Sequence, residues 1–448
     1  MAALRRDPQL WHITHHTSHI YMAHHSIALA TQPTLGLTKF NQIQHPELVQ
    51  IDARNVEKIP RDGMMDLIKS IAAAGAGNEE NGGPGHPFYV LDLGAVERVM
   101  DIWRHCLPEV KPFFAVKCNS EPAFLAALAR MGANFDCASQ GEIHTVLALG
   151  VRPDRIIYAN PCKAAAHIRY AATVGVNLTT FDSMVELEKI KKWHPKCKLL
   201  LRIKAPNDGS GSLRPLGKKF GALPEEVEAL LRYAAVAGLH VAGVSFHVGS
   251  IAQDPSIYRS AIAAARAVFD KAAQLQMPPM HVLNIGGGFR ATQPLFQHIS
   301  DTIKDAIRDY FPKEMGVTVM AEPGRYFAEK SFTLAAHVIG IRTRGEKREY
   351  WIDDGIYGSF RPTLYNSSFV TIKPAFLRSE EPSVIWPSVI YGPSCDSLDQ
   401  VTAEIKLPEL QLHDLLVFSN MGAYSSCVGT KFNGFDMISI PTYIAYTY

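Results

Sequence analysis

The hydrophobic pattern of the chain is regular between residues 88 and 326, where short apolar runs alternate with segments of helical spacing. Eight runs predict buried strands: Pro112–Lys117, Ala133–Ala138, Arg155–Asn160, Asn177–Asp182, Lys198–Lys204, Val241–His247, His281–Gly286 and Val317–Glu322. The segments between them predict helices: Pro122–Met131, Gly141–Leu149, Ala164–Val174, Met184–Trp193, Pro224–Val236, Ser256–Gln274 and Leu295–Phe311. Eight strand–helix units predict an α/β fold with a closed (β/α)8 barrel of the TIM type, and an open doubly wound sheet is the alternative.

After Tyr326 the helical spacing fades, and β-branched runs separated by turn residues replace it. These runs predict a second, all-β domain, a sandwich or a barrel. They are Thr333–Thr343, Glu349–Asp353, Ser383–Tyr391 and Leu415–Phe418. We therefore predict four parts: a disordered or targeting leader at 1–46, a segment at 47–94 that joins the β domain, the barrel at 95–332, and the C-terminal β domain at 333–448.

The predicted leader is rich in histidine and poor in acidic residues. On a helix, the four histidines between positions 12 and 19 would share one face and could clamp a metal ion. A disordered or cleaved segment is the preferred interpretation. Arg5 and Arg6, among Ser and Thr residues, also fit an organelle-targeting peptide, so we predict a cytoplasmic protein with organelle targeting as the alternative.

Composition narrows the class of protein. The chain has 448 residues, of which 47% are hydrophobic and 20% charged, and a formal net charge of +2. This describes a globular protein with room for two cores, and its charge gives no reason to expect a nucleic acid or a membrane as partner. No apolar stretch approaches the roughly 20 residues that span a bilayer. The seven cysteines include no CxxC pair, which favours free thiols over disulfides or a zinc site.

Polar residues gather where the predicted barrel strands end. In a closed barrel these ends open on one face, which is where barrel enzymes place their active sites. Packing alone does not explain the distribution, so we predict that this face carries the chemistry. The residues are Lys117, Asp136, Asn160, Asp182, Arg202, His247, Gly286, Gly287, Gly288, Glu322 and Arg325.

Lys117 ends the first predicted barrel strand. A strand buried on both faces would hold the amine away from bulk water, and desolvation lowers the pKa of an amine and frees its lone pair. Those are the requirements for a lysine that forms a Schiff base with a carbonyl cofactor. A lysine that faces solvent at a strand edge is the alternative.

Several turns predict a phosphate site. The run Ile285–Phe289 holds three consecutive glycines after an apolar strand, so its backbone N–H groups can approach an anion closely. Arg325, after the next strand, offers a forked cation for the same phosphate. The loops after the seventh and eighth strands are the usual phosphate site of such barrels. Ser250 and Tyr424, in two other turns, could donate hydrogen bonds to it.

Four further residues could act on a phosphate-bound pyridine ring and its substrate. Glu322 would face the ring nitrogen and favour the protonated pyridinium, which is the better electron sink, unless it is a solvated or salt-bridged acid. His247 would stack on the ring face, unless it is a satisfied core histidine. In the β domain, Cys395 is a proton donor or an inert buried thiol. Asp396, beside it, would bind a substrate cation.

These residues resemble the barrel-type pyridoxal-phosphate decarboxylases of basic amino acids, and most closely the eukaryotic ornithine decarboxylases. The resemblance runs from about Phe88 to Phe435, and its motifs occur in family order: PFFAVKCN, FDCAS, FHVGS, NIGGGF, AEPGRYF, DDGIYGSF, YGPSCDSLD, NMGAY and KFNGF. It implies pyridoxal 5′-phosphate as cofactor and decarboxylation of L-ornithine to putrescine, a step of polyamine biosynthesis. A racemase on the same barrel fits the Cys395-Asp396 turn less well.

The resemblance also implies the role of each residue. Lys117 is the Schiff-base lysine and Asp136 its neighbour. His247 stacks on the ring, and Glu322 faces the ring nitrogen. The phosphate is held by Ser250, Gly286, Gly287, Gly288, Arg325 and Tyr424.

On the substrate side, the resemblance implies that Cys395 returns a proton to the decarboxylated carbon and that Asp396 binds the substrate. Tyr365, Asn366 and Phe432 fall at positions that line the same pocket. In this family the site is completed across a head-to-tail homodimer, so Lys117 would meet Cys395 and Asp396 of the partner subunit.

The sequence departs from the family pattern at two places. Leu364-Tyr365-Asn366-Ser367 stands where the family usually reads LYDH, whose Asp contacts the distal amine of the substrate. Losing one of two carboxylates around a desolvated ammonium costs roughly 2–5 kcal/mol of binding. Ser367 also leaves room for a longer substrate, so lysine decarboxylation to cadaverine is one alternative and a non-catalytic regulatory relative is another. The second departure is Arg290-Ala291, which replaces the usual Pro-Gly after GGGF.

Overall fold

The computed structural model describes residues 56–76, 86–206, 211–361, 370–376 and 384–448. Its helices are α1 (Met64–Ala76), α2 (Leu93–Cys106), α3 (Pro122–Arg130), α4 (Gln140–Ala148), α5 (Ala165–Thr173), α6 (Met184–Trp193), α7 (Pro224–Val236), α8 (Ser256–Gln274), α9 (Leu295–Tyr310) and α10 (Arg325–Ala328). Its strands up to the end of the barrel are β1 (Glu57–Ile59), β2 (Phe88–Asp92), β3 (Val110–Ala115), β4 (Asn134–Cys137), β5 (Ile156–Tyr158), β6 (Leu178–Phe181), β7 (Lys198–Arg202), β8 (Ser212–Arg214), β9 (His240–Ser245), β10 (Ser250–Ala252), β11 (Val282–Asn284) and β12 (Thr318–Ala321). The later strands are β13 (Phe332–Arg344), β14 (Lys347–Ile352), β15 (Thr371–Ala375), β16 (Ile385–Tyr391), β17 (Gln400–Pro408), β18 (Leu415–Ser419) and β19 (Thr442–Thr447).

Eight parallel strands close into a barrel in the order β11, β12, β3, β4, β5, β6, β7 and β9. The predicted (β/α)8 barrel is therefore confirmed, and every predicted barrel strand ends within two residues of an observed one. Closure follows from strands that are apolar on both faces. Inward-facing side chains from five strands fill the interior, and the neighbouring residues pack outward against the helices. The interior set is Phe113, Ile157, Leu200, Ala242 and Met320.

The helices around the barrel each bury one apolar face. In α9, Phe296, Ile299, Ile303 and Ala306 are buried at intervals of three or four residues, and the residues between them are polar or charged. This spacing is why the helix pattern could be read from the sequence. Among the described helices, none combines the length and the apolar character needed to cross a membrane.

The remaining long strands form one nine-stranded sheet, which confirms the predicted second, β-sheet domain. Strands from both ends of the chain meet in it, since β2 pairs antiparallel with β13 and parallel with β19. The sequence pattern did not reveal β15, β17 or β19. β17 carries Glu and Lys on its exposed face, and β15 contains Pro374, which weakens a strand signal. The four-part division of the chain stays a prediction.

Asp92 connects this sheet to the barrel. It caps α2 by accepting a hydrogen bond from the Gly94 N–H at 2.9 Å, and it also accepts from the backbone and the hydroxyl of Thr447 at 2.9 and 2.6 Å. Arg98 bridges the same two residues. The last strand of the chain is thereby fixed to the first helix of the barrel region.

Candidate active site

The ends of the barrel strands bring together the predicted ionisable residues. Lys117 lies in the 3₁₀ turn Val116–Cys118 directly after β3, Asp136 lies within β4, and Glu322 directly follows β12. The ammonium of Lys117 and Asp136 Oδ2 form an ion pair. Asp136 is fully buried, whereas 42% of the Lys117 side chain is exposed. The lysine is therefore surrounded by protein charges but still reachable by a small molecule.

The pKa of Lys117 contradicts the sequence prediction. Burial lowers this pKa, but the charges of Asp136, Tyr424 and Glu322, together with the hydrogen bond to Asp136, outweigh burial and raise it. The prediction of a lowered pKa was wrong because desolvation was considered without the carboxylates that other strands bring near. In the chain alone the amine is protonated and must lose that proton before it can attack a carbonyl.

Glu322 and Asp136 are two buried carboxyl groups at the same barrel mouth. Burial and the charge of Asp136 raise the pKa of Glu322 to about 7, and Lys117 and Asn284 oppose this increase. Burial also raises the pKa of Asp136, and the contact with Lys117 opposes this increase. The two acids are therefore placed differently, one paired with an ammonium and the other held by a neutral amide.

Asn284, at the end of β11, is a site residue that the sequence analysis missed. Its Nδ2 donates to Glu322 Oε1 at 2.6 Å, and its Oδ1 accepts from the Gly286 N–H at 2.9 Å. The second bond fixes the orientation of the amide, so the NH₂ group must face Glu322. A polar residue in an apolar strand, two positions before a glycine run, was the available signal.

The glycine turn after β11 is shaped by close neighbours. Gly286 has a φ of 64°, and a Cβ there would lie 2.1 Å from the Phe246 carbonyl oxygen. A Cβ on Gly287 would lie 2.8 Å from His247 Nε2. Glycine is thus required for the turn to pass beside the histidine that follows β9.

His247 is half-buried, and its Nδ1 accepts a hydrogen bond from the Gly249 N–H at 3.0 Å. Burial, followed by the charges of Arg202 and Lys117, lowers its pKa well below the usual value. The imidazole is therefore neutral at neutral pH and carries its proton on Nε2, the atom closest to the glycine turn.

Arg325 begins α10, and its guanidinium lies 5.4 Å from the centre of the Tyr424 ring. Its Nε is buried and has no hydrogen-bond partner among the described residues. Ser250 begins β10, and the same short strand is tied to the glycine turn by a hydrogen bond from the Ala252 N–H to the Gly288 carbonyl at 2.9 Å. The predicted phosphate residues thus come from the barrel mouth and from one loop of the β domain.

That loop, residues 420–424, is fastened to the turn that carries Lys117. Asn119 Nδ2 donates to the Gly422 carbonyl at 2.9 Å, and the Tyr424 N–H donates to the Cys118 carbonyl at 2.9 Å. Tyr424 has a φ of 60°, a conformation that non-glycine residues adopt rarely. Asn119 was not predicted as a site residue, because its partner lies about 300 positions later in the chain.

The predicted substrate residues of the β domain form a separate cluster. The hydroxyl of Tyr357 donates to Asp396 Oδ2, and the Tyr357 ring stacks on Phe432 with centres 4.2 Å apart. The Leu398 N–H and Tyr357 lower the pKa of Asp396 by donating hydrogen bonds to it. Cys395 is exposed, which excludes the buried inert thiol. Tyr365, Asn366 and Ser367 lie outside the described residues.

Two residues missed by the sequence analysis hold the Cys395 turn. Asn433 Oδ1 accepts from the Cys395 N–H at 2.9 Å. The buried Asp399 accepts from the backbone N–H groups of Ser394 and Ile356, at 3.0 and 2.9 Å. Within the part of the chain that the structure describes, no hydrogen bond or ion pair joins Cys395 or Asp396 to Lys117. Among the described residues, the barrel mouth and the Cys395 turn are therefore two separate clusters.

Comparison with known proteins gives the family. The model for the pyridoxal binding domain of pyridoxal-dependent decarboxylases matches residues 93–329. A chloroplastic ornithine decarboxylase of Nicotiana glauca is 50% identical over 401 residues, which cover 88% of this chain and 91% of the relative. The chain belongs to the eukaryotic ornithine decarboxylase family. It is a pyridoxal-dependent decarboxylase.

Two solved structures resemble this decarboxylase over most of its length. The arginine decarboxylase of Paramecium bursaria Chlorella virus, bound to agmatine, has a TM-score of 0.78 and 38% identity, and the match covers 86% of this chain and all of the viral chain. The lysine/ornithine decarboxylase of Vibrio vulnificus, complexed with cadaverine, has a TM-score of 0.73 and 31% identity, with 87% and 99% covered. The same fold thus serves several basic amino acids.

The barrel mouth of this decarboxylase fits pyridoxal phosphate. Asp136 Oδ1 and Arg325 Nε are buried polar atoms without a hydrogen-bond partner among the described residues. The glycine turn leaves a surface that any Cβ would fill. A lysine beside a carboxylate, an acid with a raised pKa and a free guanidinium donor are the groups that an aldehyde, a pyridine nitrogen and a phosphate require.

We predict that Glu322→Gln changes how stability depends on pH. The folded-state pKa of Glu322 is raised from 4.5 to about 7, so the unfolded chain releases this proton first and stability falls as pH rises between these values. Glutamine still accepts the Asn284 hydrogen bond but cannot ionise. The free energy of unfolding of the variant should therefore exceed that of wild type by about 2–3 kcal/mol at pH 8, and this difference should disappear near pH 4.

Urea unfolding of protein without added cofactor, repeated across this pH range, measures the difference. Glu314→Gln, at an exposed acid, controls for the loss of one negative charge. A difference that stays constant with pH would show that Glu322 is not the titrating group.

Proposed function

We propose that this chain is an ornithine decarboxylase that converts L-ornithine to putrescine and carbon dioxide with pyridoxal 5′-phosphate, as a step of polyamine biosynthesis. The Lys117–Asp136 ion pair at the mouth of the barrel carries this proposal, because it places a partly exposed amine in contact with a buried carboxylate that can accept its proton. The 50% identity to a named ornithine decarboxylase over most of the chain supports it.

The residues around Lys117 prepare the chemistry. When bound, pyridoxal phosphate supplies the electron sink for the charge that remains on Cα after carbon dioxide leaves. Lys117 would hold the cofactor, and Asp136 Oδ2 is the base in contact with the Lys117 Nζ that can accept its proton. Glu322 would hold a proton on the ring nitrogen, and the amide of Asn284 keeps the carboxyl group of Glu322 oriented. His247, neutral because its pKa is lowered, would stack on the ring.

The phosphate would be bound by Arg325, the backbone of Gly286–Gly288, Ser250 and Tyr424. Arg325 Nε and the glycine turn are suited to this role, since one is an unused buried donor and the other allows close approach. The ties from Asn119 and Cys118 to the loop 420–424 hold Tyr424 at the same place.

The two separate clusters, at the barrel mouth and at the Cys395 turn, support a homodimer in which each cluster is one half of a shared site. In such a dimer, Cys395 and Asp396 of the partner subunit would face Lys117. Cys395 would return a proton to Cα, and Asp396 would bind the distal ammonium of the substrate, with Tyr365, Asn366 and Phe432 lining the pocket. Three exposed apolar residues accompany the Cys395 half-site and would be covered by a partner: Leu398, Phe432 and Phe435, at 68%, 41% and 39% exposed.

We predict that Lys117→Ala and Cys395→Ala chains, each defective alone, regain activity when mixed. Half of randomly formed dimers are mixed, and each mixed dimer has one intact site, so about a quarter of wild-type activity is expected. Carbon dioxide release from ornithine after dissociation and reassembly measures it. Mixing two preparations of the same variant is the control. If mixing restores nothing, the site is not shared between subunits.

Substrate choice depends on residues around the distal amine. We predict that wild type prefers ornithine over lysine and arginine, and that Asn366→Asp lowers the KM for ornithine by about tenfold, because a second carboxylate would face the ammonium. Asn366→Gln is the matched neutral control. Carbon dioxide release is measured with each amino acid. A preference for lysine in wild type would favour the cadaverine-forming alternative, and an unchanged KM for ornithine in Asn366→Asp would refute the account of this position.

The location of the enzyme is a separate proposal. We infer a cytoplasmic enzyme, with organelle targeting by residues 1–46 as the alternative, since the Nicotiana glauca relative is named chloroplastic. We expect diffuse cytoplasmic fluorescence from C-terminal fusions of both the full chain and residues 47–448. An organelle signal from the full chain alone would establish targeting instead.

A further inference from the structure

A buried carboxylate, Glu329, lies between two arginines beside the glycine turn. Arg325 Nη1 is 3.2 Å from its Oε1, and Arg290 Nε is 2.6 Å from its Oε2. Only 2% of the Glu329 side chain is exposed, against 11% for Arg325 and 19% for Arg290. We propose that Arg290 is a positioning residue for cofactor binding, which holds Glu329 so that Arg325 remains available to the phosphate.

Two anions, the Glu329 carboxylate and the cofactor phosphate, would compete for the guanidinium of Arg325. A carboxylate in contact with Arg325 offsets the charge that a phosphate would otherwise meet, and in a buried place this effect is strong. The shorter contact of Glu329 is with Arg290, and the contact with Arg325 is the longer one. The three side chains together carry one net positive charge. Without Arg290 the net charge of the remaining pair would be zero, and Arg325 would be the arginine left to neutralise Glu329.

Arg290 lies where the glycine turn meets the segment after α10. It directly follows Phe289 at the end of the glycine turn, and Glu329 directly follows α10, which Arg325 begins. The ion pair therefore joins the two loops that surround the predicted phosphate. Lys330 reinforces this connection by donating to the Ala291 carbonyl at 2.6 Å. The residues that depart from the usual Pro-Gly of the family are thus both engaged with the segment after Arg325.

This inference rests on the proposed function, because it assumes that Arg325 binds the cofactor phosphate. The loss of Arg290 should therefore weaken the binding of a ligand that carries phosphate and leave the binding of a ligand without phosphate unchanged. Pyridoxal phosphate and pyridoxal form such a pair, since both carry the aldehyde and the ring.

The experiment measures dissociation constants of pyridoxal phosphate and pyridoxal by equilibrium dialysis against protein stripped of cofactor. Arg290→Lys keeps the charge, and Arg290→Gln removes it while keeping a hydrogen-bond donor. We expect Arg290→Gln to raise the dissociation constant of pyridoxal phosphate by about tenfold, and Arg290→Lys to keep it within about threefold of wild type. The dissociation constant of pyridoxal should be unchanged in both variants. Glu329→Gln should restore the affinity of Arg290→Gln, since it removes the competing anion.

Arg325→Ala separates the two levels of the proposal. If it binds pyridoxal phosphate as tightly as wild type, the predicted phosphate site itself is wrong. If it loses that affinity while Arg290→Gln keeps it, only the role of Arg290 is refuted. If Arg290→Gln loses affinity equally for pyridoxal phosphate and for pyridoxal, the effect is a general structural one and the role of Arg290 is also refuted. If Arg290→Gln does not fold, the single variant Glu329→Gln tests the proposal. Removing the competing anion should tighten the binding of pyridoxal phosphate, and an unchanged dissociation constant would refute the competition.

Discussion

The burial of ionised groups at one end of a closed barrel is the constraint on which the site depends. Lys117, Asp136, Glu322 and Arg202 meet there, two potential cations and two acids. Any one of them buried alone would be strongly destabilising, because the protein interior solvates charge poorly. Each group instead lowers the free-energy cost of burying a neighbour of opposite charge. The net charge of the four groups depends on the protonation of Glu322. The catalytic groups are thus held by mutual electrostatics before any ligand binds.

The β domain completes this mouth from outside the barrel. Its loop 420–424 accepts a hydrogen bond from the Asn119 side chain and donates one to the Cys118 carbonyl, so the position of Lys117 depends on a segment from the other domain. Glu329 makes a comparable connection between two loops of the barrel itself. Loops usually tolerate movement, but these are tied at several points by buried polar contacts. Cofactor binding therefore relies on contacts between elements as much as on the residues that touch the ligand.

The strands and helices of the barrel could be predicted from the sequence because each depends on its own apolar pattern. The strands β15 and β17 could not, since many of their residues are exposed and no such pattern is required there. β19 is mostly buried, but Thr and Tyr residues interrupt its apolar run. The positions of Lys117, Asp136 and Glu322 at one face followed from barrel geometry. The pKa of Lys117 did not, because it depends on acids that approach from other strands.

The same distinction explains which site residues were missed. Asn284, Asn119, Asp399 and Asn433 act through hydrogen bonds to residues 38 to 303 positions away, or to neighbouring backbone in a turn. A single sequence does not show which residues form such pairs, and only Asn284, a polar residue in an apolar strand, carried a local signal. The residues of the motifs could be named through their resemblance to a family, whereas the side chains that orient them became visible only with the fold.

Asp92 also bears on how the protein is made. Its carboxylate accepts hydrogen bonds from Thr447, which lies 355 residues later in the sequence. During synthesis β13 can pair with one edge of β2 well before β19 is made to pair with the other edge. Because unpaired edges invite pairing with other chains, one edge of this apolar strand stays open to such contacts until β19 has been synthesised. Late pairing of β19 therefore makes this edge of the sheet the one most exposed to aggregation during folding.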